Sequence, residues 1–267
     1  MLDQATIDKL ARQYHVAEKE RRRIRPPTAQ YPGFSIDDAY AVQRSWVAIK
    51  VAEGNPVKGH KIGLTSRAMQ SVANINEPDY GALLADKFFN DGAEIPVGRF
   101  IEPRLECELA FIIGRRLKGP NCTIFDALSA TDYVVPTAEI VDGRTHRVDP
   151  ETQAPRKVLD SIADNAGNAA LVMGGRPIRP MEVDLRWVAA LCYRNGIIEE
   201  SGVAAAVLNH PANGIAWLAN KLAPFDVALE PGQVVLAGSF TRTVEARAGD
   251  QFHVDYGPLG SLTCRFV

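Results

Sequence analysis

Two glutamates stand one residue apart in the run Arg104-Leu105-Glu106-Cys107-Glu108-Leu109-Ala110-Phe111, which is otherwise largely apolar. On an extended strand side chains alternate faces, so both carboxylates leave the same side, with their Cα atoms about 6.5–7 Å apart. In a half-buried sheet two such anions repel and lose hydration, and protonation, arginine pairing or a cation must compensate. A solvated edge strand with both acids in water avoids the problem, and for an isolated Glu-x-Glu that is the favoured reading. A third acid changes the balance. Glu139 lies in Tyr133-Val134-Val135-Pro136-Thr137-Ala138-Glu139-Ile140-Val141-Asp142, again among apolar and β-branched residues. Three carboxylates on neighbouring strands supply oxygen ligands for an octahedral Mg²⁺ or Mn²⁺ and leave positions for water or substrate, which is what metal-assisted catalysis requires.

Other chemistry-bearing stretches are less specific. In Lys58-Gly59-His60-Lys61-Ile62-Gly63-Leu64-Thr65-Ser66 glycines bracket Lys61 and allow close approach to a ligand, although from this stretch alone a surface strand end with Lys61 in water is the better reading. Asn76-Glu77-Pro78-Asp79-Tyr80-Gly81 is a turn by composition, and Asp79 by itself reads as a turn acid. Neither G-x-x-x-x-G-K-[ST], G-x-G-x-x-G nor G-x-S-x-G occurs, which removes the common nucleotide-binding and serine-hydrolase fingerprints. Thirty Lys+Arg against 32 Asp+Glu leave a net charge of -2, so no global field recruits nucleic acid or an acidic membrane, and a small-molecule partner is expected. Cys107, Cys122, Cys192 and Cys264 are scattered without metal-type spacing and read as small core residues in a reducing compartment. There is no apolar leader and no run of membrane-spanning length, so a cytoplasmic location is expected.

The elements that must carry these residues divide at about residue 70. Ile7, Leu10, Ala11, Tyr14 and Ala17 form an amphipathic stripe over 3–23, closed by Arg21-Arg22-Arg23-Ile24-Arg25, a basic run suited to a solvated helix C-terminus. Ser35-Ile36-Asp37-Asp38 opens a second helix striped by Ala39, Val42, Trp46 and Ile49. Thr65-Ser66 is placed to cap a short helix. From about residue 94 short apolar runs at 105–113, 133–141, 169–173 and 234–237 suit strands, and alternation from Val244 to Phe266 suits closing hairpins. Residues 202–219 read as a helix broken at His210-Pro211. The expectation is an α+β chain: an N-terminal helical segment, 1–70, packed on a catalytic core, 71–267.

Taken together, Gly59 to Ser66, the Glu77-Pro78-Asp79-Tyr80-Gly81 turn, Glu106-Cys107-Glu108, Glu139 and Asp164-Asn165-Ala166-Gly167-Asn168 resemble the hydratase/decarboxylase branch of the fumarylacetoacetate hydrolase superfamily. Val203 to Asn213 and Phe252-His253-Val254-Asp255-Tyr256-Gly257 extend the likeness over most of the chain. The resemblance implies a mixed β-roll core and Mg²⁺, with Mn²⁺ as the alternative ion, on Glu106, Glu108 and Glu139. It further implies a 2-oxo dicarboxylate chelated at that ion, Lys61 and Asp79 as the catalytic polar pair beside it, and a homo-oligomer. The expected reaction is metal-dependent hydration of a 2-oxo-alkenedioate from aromatic meta-cleavage. Decarboxylation of 4-oxalocrotonate, hydration of 2-hydroxypentadienoate and a non-catalytic binding protein on the same fold are the alternatives. The hydrolase branch uses a histidine-based dyad, which is not evident here, since on a strand His60 faces away from Lys61. A dioate also needs donors for its far carboxylate, for which Arg144, Arg147 and Arg156 in the polar stretch after Glu139 are candidates, although ordinary solvated loop arginines are the better reading for at least two of the three. Ser161, Arg156 and Leu83 complete the substrate-binding expectation, and Asn165 and Asn168 are further donors that turn formation explains equally well.

Overall fold

Helix α1 (Gln4–Glu20) buries all five residues of its expected stripe and starts at Asp3, whose carboxylate accepts from the Thr6 amide. The computed structural model describes all 267 residues. A one-turn helix α2 (Pro27–Gln30) leads to α3 (Ile36–Ala52), which begins with a reciprocal capping box between Ser35 and Asp38. Helices α1 and α3 pack together, and Tyr14 stacks on Trp46 with ring centroids 5.7 Å apart. The basic run after α1 is only half left in solvent, at Arg21 and Arg22. Arg23 pairs with Glu102, Arg25 pairs bidentately with Asp149, and Ile24 bridges to Thr145. Charge and dipole alone describe a helix end. The partners come from residues 79 or more positions away.

Two sheets follow. The larger contains β1 (Val57–Gly63), β2 (Asp79–Leu84), β3 (Phe88–Asn90), β5 (Arg104–Ile113), β6 (Thr131–Val141), β7 (Asn168–Met173), β10 (Val234–Leu236) and β11 (Val244–Glu245). Its order is β2-β1-β10-β5-β6-β7-β3, with β11 also on β5, and it is mixed because β1/β10 and β3/β7 run parallel. The smaller sheet has the order β4-β13-β12-β8-β9, from β4 (Ala93–Ile95), β8 (Ala189–Arg194), β9 (Ile197–Val203), β12 (Gln251–Asp255) and β13 (Ser261–Phe266). The large sheet curls until Leu83 of β2 and Leu171 of β7 share one apolar cluster with Ala110, Val234 and Leu236, so the roll has an interior of its own. Four short or medium helices complete the chain: α4 (Arg67–Ala73), capped by Ser66 as expected, α5 (Ile124–Ala130), α6 (Val158–Ala163) and α7 (Pro211–Leu222).

Two expectations are corrected. The segment 1–70 is not helical throughout, because β1 lies inside the large sheet between β2 and β10 and carries Lys61 into it. The helix read across 202–219 begins only at Pro211. Residues up to Val203 finish β9, and His210 caps α7 by accepting from the Ala212 amide through Nδ1. Proline is favoured at a first helical turn, where its missing N–H costs nothing, so Pro211 starts the helix where it was read as an interruption. The α+β class and the mixed roll stand. The four cysteines are free, and no helix is long and apolar enough to cross a membrane.

Candidate active site

Strand parity places Arg104, Glu106 and Glu108 on one face of β5, and antiparallel register sets Glu139 of β6 directly opposite Glu106. The three glutamates each offer a carboxylate oxygen within 4.8 Å of the others. Glu108 and Glu139 are fully buried. One oxygen of each is satisfied by the protein: the Gly238 amide donates to Glu108 Oε2 at 2.9 Å, and Asn168 Nδ2 donates to Glu139 Oε1 at 2.9 Å. The other oxygen of each, Glu108 Oε1 and Glu139 Oε2, is buried without a hydrogen-bond partner. Buried acceptors are almost always satisfied, and hydrogen-bonded carboxylates with a free oxygen turned to a common point are what a hard cation takes. The donor set therefore fits a divalent ion of the Mg²⁺ or Mn²⁺ type.

Gly238 has φ +118, and a Cβ there would collide with Thr65 Oγ1, so only glycine brings this amide to Glu108. Behind the same glutamate, the buried Tyr256 hydroxyl donates to the Thr137 carbonyl at 2.6 Å and sits 3.2 Å from the Glu108 amide, which donates to it. It stitches β5 to β6 at the height of the acids.

Lys61 arrives from β1. Its Nζ lies 3.2 Å from Glu139 Oε2, an ion contact without hydrogen-bond angles, and donates to the Ala166 carbonyl at 3.2 Å. Asp79, on β2 opposite Gly63, acts on Lys61 through its charge, since the ion contact itself is to Glu139. Gly63 makes that neighbourhood available, because a Cβ would collide with Asp79 Oδ1 and stand 3.2 Å from Lys61 Nζ. Burial works to lower the Lys61 pKa, but the surrounding carboxylates, led by Glu139, outweigh it and hold the ammonium above the ordinary lysine range. Burial pushes Asp79 up to about 6. Burial, reinforced by Glu139, pushes Glu106 up to about 7, and burial drives Glu108 well above the carboxylate range.

These directions fix a sign. Groups whose folded pKa is raised contribute stability below their unfolded pKa and lose it as pH rises through the folded value. Without metal the fold should weaken from about pH 4.5 upward, through about 6 for Asp79 and about 7 for Glu106. Divalent ions should therefore raise the melting temperature more at pH 8 than at pH 5. Thermal melts with Mg²⁺ or EDTA at the two pH values check this, and an equal shift at both would contradict it.

The turn that supplies the Lys61 acceptor is unusual. Asn165, Ala166 and Gly167 all have positive φ, 52°, 50° and 71°. Non-glycine residues reach this region at a cost of roughly 1–2 kcal/mol each. Asn165 compensates by exchanging two hydrogen bonds with Ala82, its Oδ1 accepting from the amide at 2.7 Å and its Nδ2 donating to the carbonyl at 2.9 Å. Strain held in this way turns Ala166 O toward Lys61 and Asn168 toward Glu139, and such strain clusters at functional sites. Asn165 and Asn168 thus serve the turn and the site together. The Ala166 carbonyl, the Gly238 amide and Tyr256 were not anticipated as site groups. The Asn165-Ala166-Gly167-Asn168 turn signal was the trace of the first, Tyr256 lay in the Phe252–Gly257 stretch of the family likeness without a role, and nothing pointed to the Gly238 amide.

A cavity of about 460 Å³ opens beside these groups, lined by Lys61, Asp79 and Glu106 and, toward the rim, by Arg147, Arg156 and Ser161. None of the five histidines lines it, and His60 is buried on the other face of β1, where burial lowers its pKa to about 4. Arg144 does not reach the cavity. It is buried, with Nε 2.5 Å from Asp164 Oδ1 and its guanidinium over the Trp46 ring. Leu83 shares the interior of the roll but is fully sealed in the apolar cluster and is not part of the lining.

Residues 50–267 match the family model described as fumarylacetoacetate (FAA) hydrolase C-terminal. The chain belongs to the fumarylacetoacetate hydrolase family. Within that family it is 63% identical to 2-oxo-hept-4-ene-1,7-dioate hydratase of Escherichia coli over 267 residues, covering 100% of both chains. It is 35% identical to 4-oxalocrotonate decarboxylase of Pseudomonas putida, over 100% of this chain and 98% of that one. Among solved structures, the 4-oxalocrotonate decarboxylase of Pseudomonas putida G7 complexed with magnesium and adipate superposes with a TM-score of 0.94 at 33% identity, covering 100% of this chain and 99% of that chain. This fumarylacetoacetate hydrolase family member thus has relatives catalysing both hydration and decarboxylation on its fold.

Proposed function

We propose that the protein is a divalent-metal-dependent hydro-lyase that adds water to 2-oxo-hept-4-ene-1,7-dioate, giving 4-hydroxy-2-oxoheptanedioate, in aromatic meta-cleavage degradation. The observation that carries this reading is the end-to-end identity of 63% to a hydratase of that specificity, against 35% to a decarboxylase. Glu106, Glu108 and Glu139 would hold the ion, Mg²⁺ with Mn²⁺ as the alternative, which when bound supplies Lewis acidity to a chelating 2-oxo acid. The reading includes a cytoplasmic location, with which four free cysteines accord, and a homo-oligomer.

The protein's own task is proton movement. Loss of a proton at C-3 and gain at C-5 give the conjugated 2-oxo-3-enoate, and water then adds at C-4 with return of a proton to C-3. Lys61 is the proton carrier at C-3 in this scheme: it is buried, fixed by Ala166 O and Glu139, and on the cavity wall, and the charge of a bound cation would offset the carboxylates that hold its proton, freeing the amine to take the C-3 proton and return it. Asp79 tunes its charge from β2. Nothing in the lining offers the imidazole that C–C bond hydrolysis by a histidine dyad would require.

The deciding assay follows the ultraviolet chromophore of 2-hydroxyhepta-2,4-diene-1,7-dioate and identifies the product by mass. Gain of one water, abolished by EDTA and restored by Mg²⁺, is expected, whereas loss of CO₂ would make the protein a decarboxylase. Lys61→Met should lower kcat by about 10²–10⁴, the usual contribution of a positioned proton donor or acceptor, while Mg²⁺ still raises the melting temperature. A variant retaining near-parental kcat would remove Lys61 from the mechanism.

A further inference from the structure

The rim of the cavity carries a charge arrangement that proton transfer does not explain. Glu102 meets three guanidinium groups at once: Arg104 Nη2 at 3.1 Å and Arg147 Nη2 at 2.6 Å on Oε1, and Arg23 on Oε2. Its backbone is fixed in turn by Asp142, whose carboxylate accepts from the Ile101 and Glu102 amides at 2.8 and 2.9 Å. Arg156, also on the cavity lining, has no carboxylate within ion-pair distance and lies against Gly143, and Lys157 adds another cation. The nearby anions are already engaged, Asp142 by these amides and Asp164 by Arg144. The Nε atoms of both Arg23 and Arg104 are buried without an acceptor. This end of the cavity is short of negative charge, while its other end concentrates Glu106, Glu108, Glu139 and Asp79.

Strand geometry sets the separation of the two ends. Arg104 precedes Glu106 by two residues on the same face of β5, about 6.5–7 Å along the strand. A ligand anchored at the glutamate cluster by one end and only a few carbons long therefore brings its other end to the guanidinium groups. A planar fork of donors suits a carboxylate there.

We propose that Arg104 and Arg147, with Arg156, form the subsite that receives the far carboxylate of a dioate, and that Glu102 is the positioning residue that gathers them. Without Glu102 the cations repel one another and splay. With it, three arginines share one counter-charge and retain donors for a second. The proposal rests on the reading that the 2-oxo end of the substrate lies at the glutamates.

The test is calorimetric binding to the Mg²⁺-loaded protein of two unreactive ligands of equal length, 2-oxoheptanedioate and 2-oxoheptanoate, which differ only in the far carboxylate. The parent should prefer the dioate by at least about 10-fold, the scale of hydrogen bonds to a charged group. Arg147 is half-exposed, so Arg147→Met tests the subsite with little threat to folding. It should cut the preference about 10-fold, with Arg147→Lys recovering part of it. Glu102→Gln should also reduce the preference and, in turnover, raise KM more than it lowers kcat. No preference in the parent, or a preference that survives both Arg147→Met and Glu102→Gln, would overturn the subsite. A preference abolished by Arg147→Met in a protein that fails to add water to the dienoate would support the subsite and defeat the hydratase reading, so the two fail separately.

Discussion

Glu106→Gln should lower kcat by about 10²–10³ or more, a loss typical of removing a preorganised electrostatic group, while the protein stays folded. In EDTA at pH 8 the variant should also melt at a higher temperature than the parent. Both effects come from the same carboxylate. Ionised at that pH, Glu106 faces Glu139 and Glu108 across less than 5 Å in a buried pocket, so neutralising it relieves repulsion. Under the proposed function the carboxylate that weakens the metal-free fold at this pH is also one that would hold the ion. Melts in EDTA and Mg²⁺ beside the ultraviolet assay read both results. Unchanged turnover would point to a binding protein on this fold, and a lower melting temperature in EDTA would mean that Glu106 is structural.

Arg144→Met should destabilise the fold by about 3–5 kcal/mol, the cost of leaving one partner of a buried ion pair uncompensated. Arg144 is buried with Asp164, donates from Nη2 to the Asp164 carbonyl at 2.8 Å and from Nη1 to the Asn168 carbonyl at 3.1 Å, and packs over Trp46. It clasps the strained 165–167 turn from behind and ties it to α3. Its loss should therefore also loosen the Ala166 contact to Lys61 and the Asn168 contact to Glu139. Urea denaturation measures the first effect, and a kcat lowered even in the folded fraction measures the second. A loss under about 1 kcal/mol would show that the pair only offsets its own desolvation.

The fate of the arginines marks where linear reading stopped. Arg144, Arg147 and Arg156 lie within 13 residues of one another in the same polar stretch and look alike in the chain. One became a buried clasp, one reached Glu102, and one lies in the cavity without an acid partner. Arg23 read as a helix end and became part of the rim. Which arginine goes where depends on acids up to 79 residues away, and no local pattern carries that information.

What was legible follows from short-range geometry. The period of two on a strand puts Glu106 and Glu108 on one face wherever the strand lies, and the three-to-four spacing of Ile7 to Ala17 makes a helix with one buried side. Ser35 and Ser66 announce their helices because capping needs only residues within one turn. The conjunction of acids, glycine-bracketed lysine and Asn-rich turn carried the family likeness as well. Register and strand order belong to the tertiary structure. That Glu139 faces Glu106 and not its neighbour, that β1 enters the sheet two strands from β5, and that a left-handed turn presents Ala166 to Lys61 all depend on pairings between distant segments. A one-residue slip of β6 would turn Glu139 to the opposite face with its composition unchanged, so the three-carboxylate site exists only once the sheet has closed.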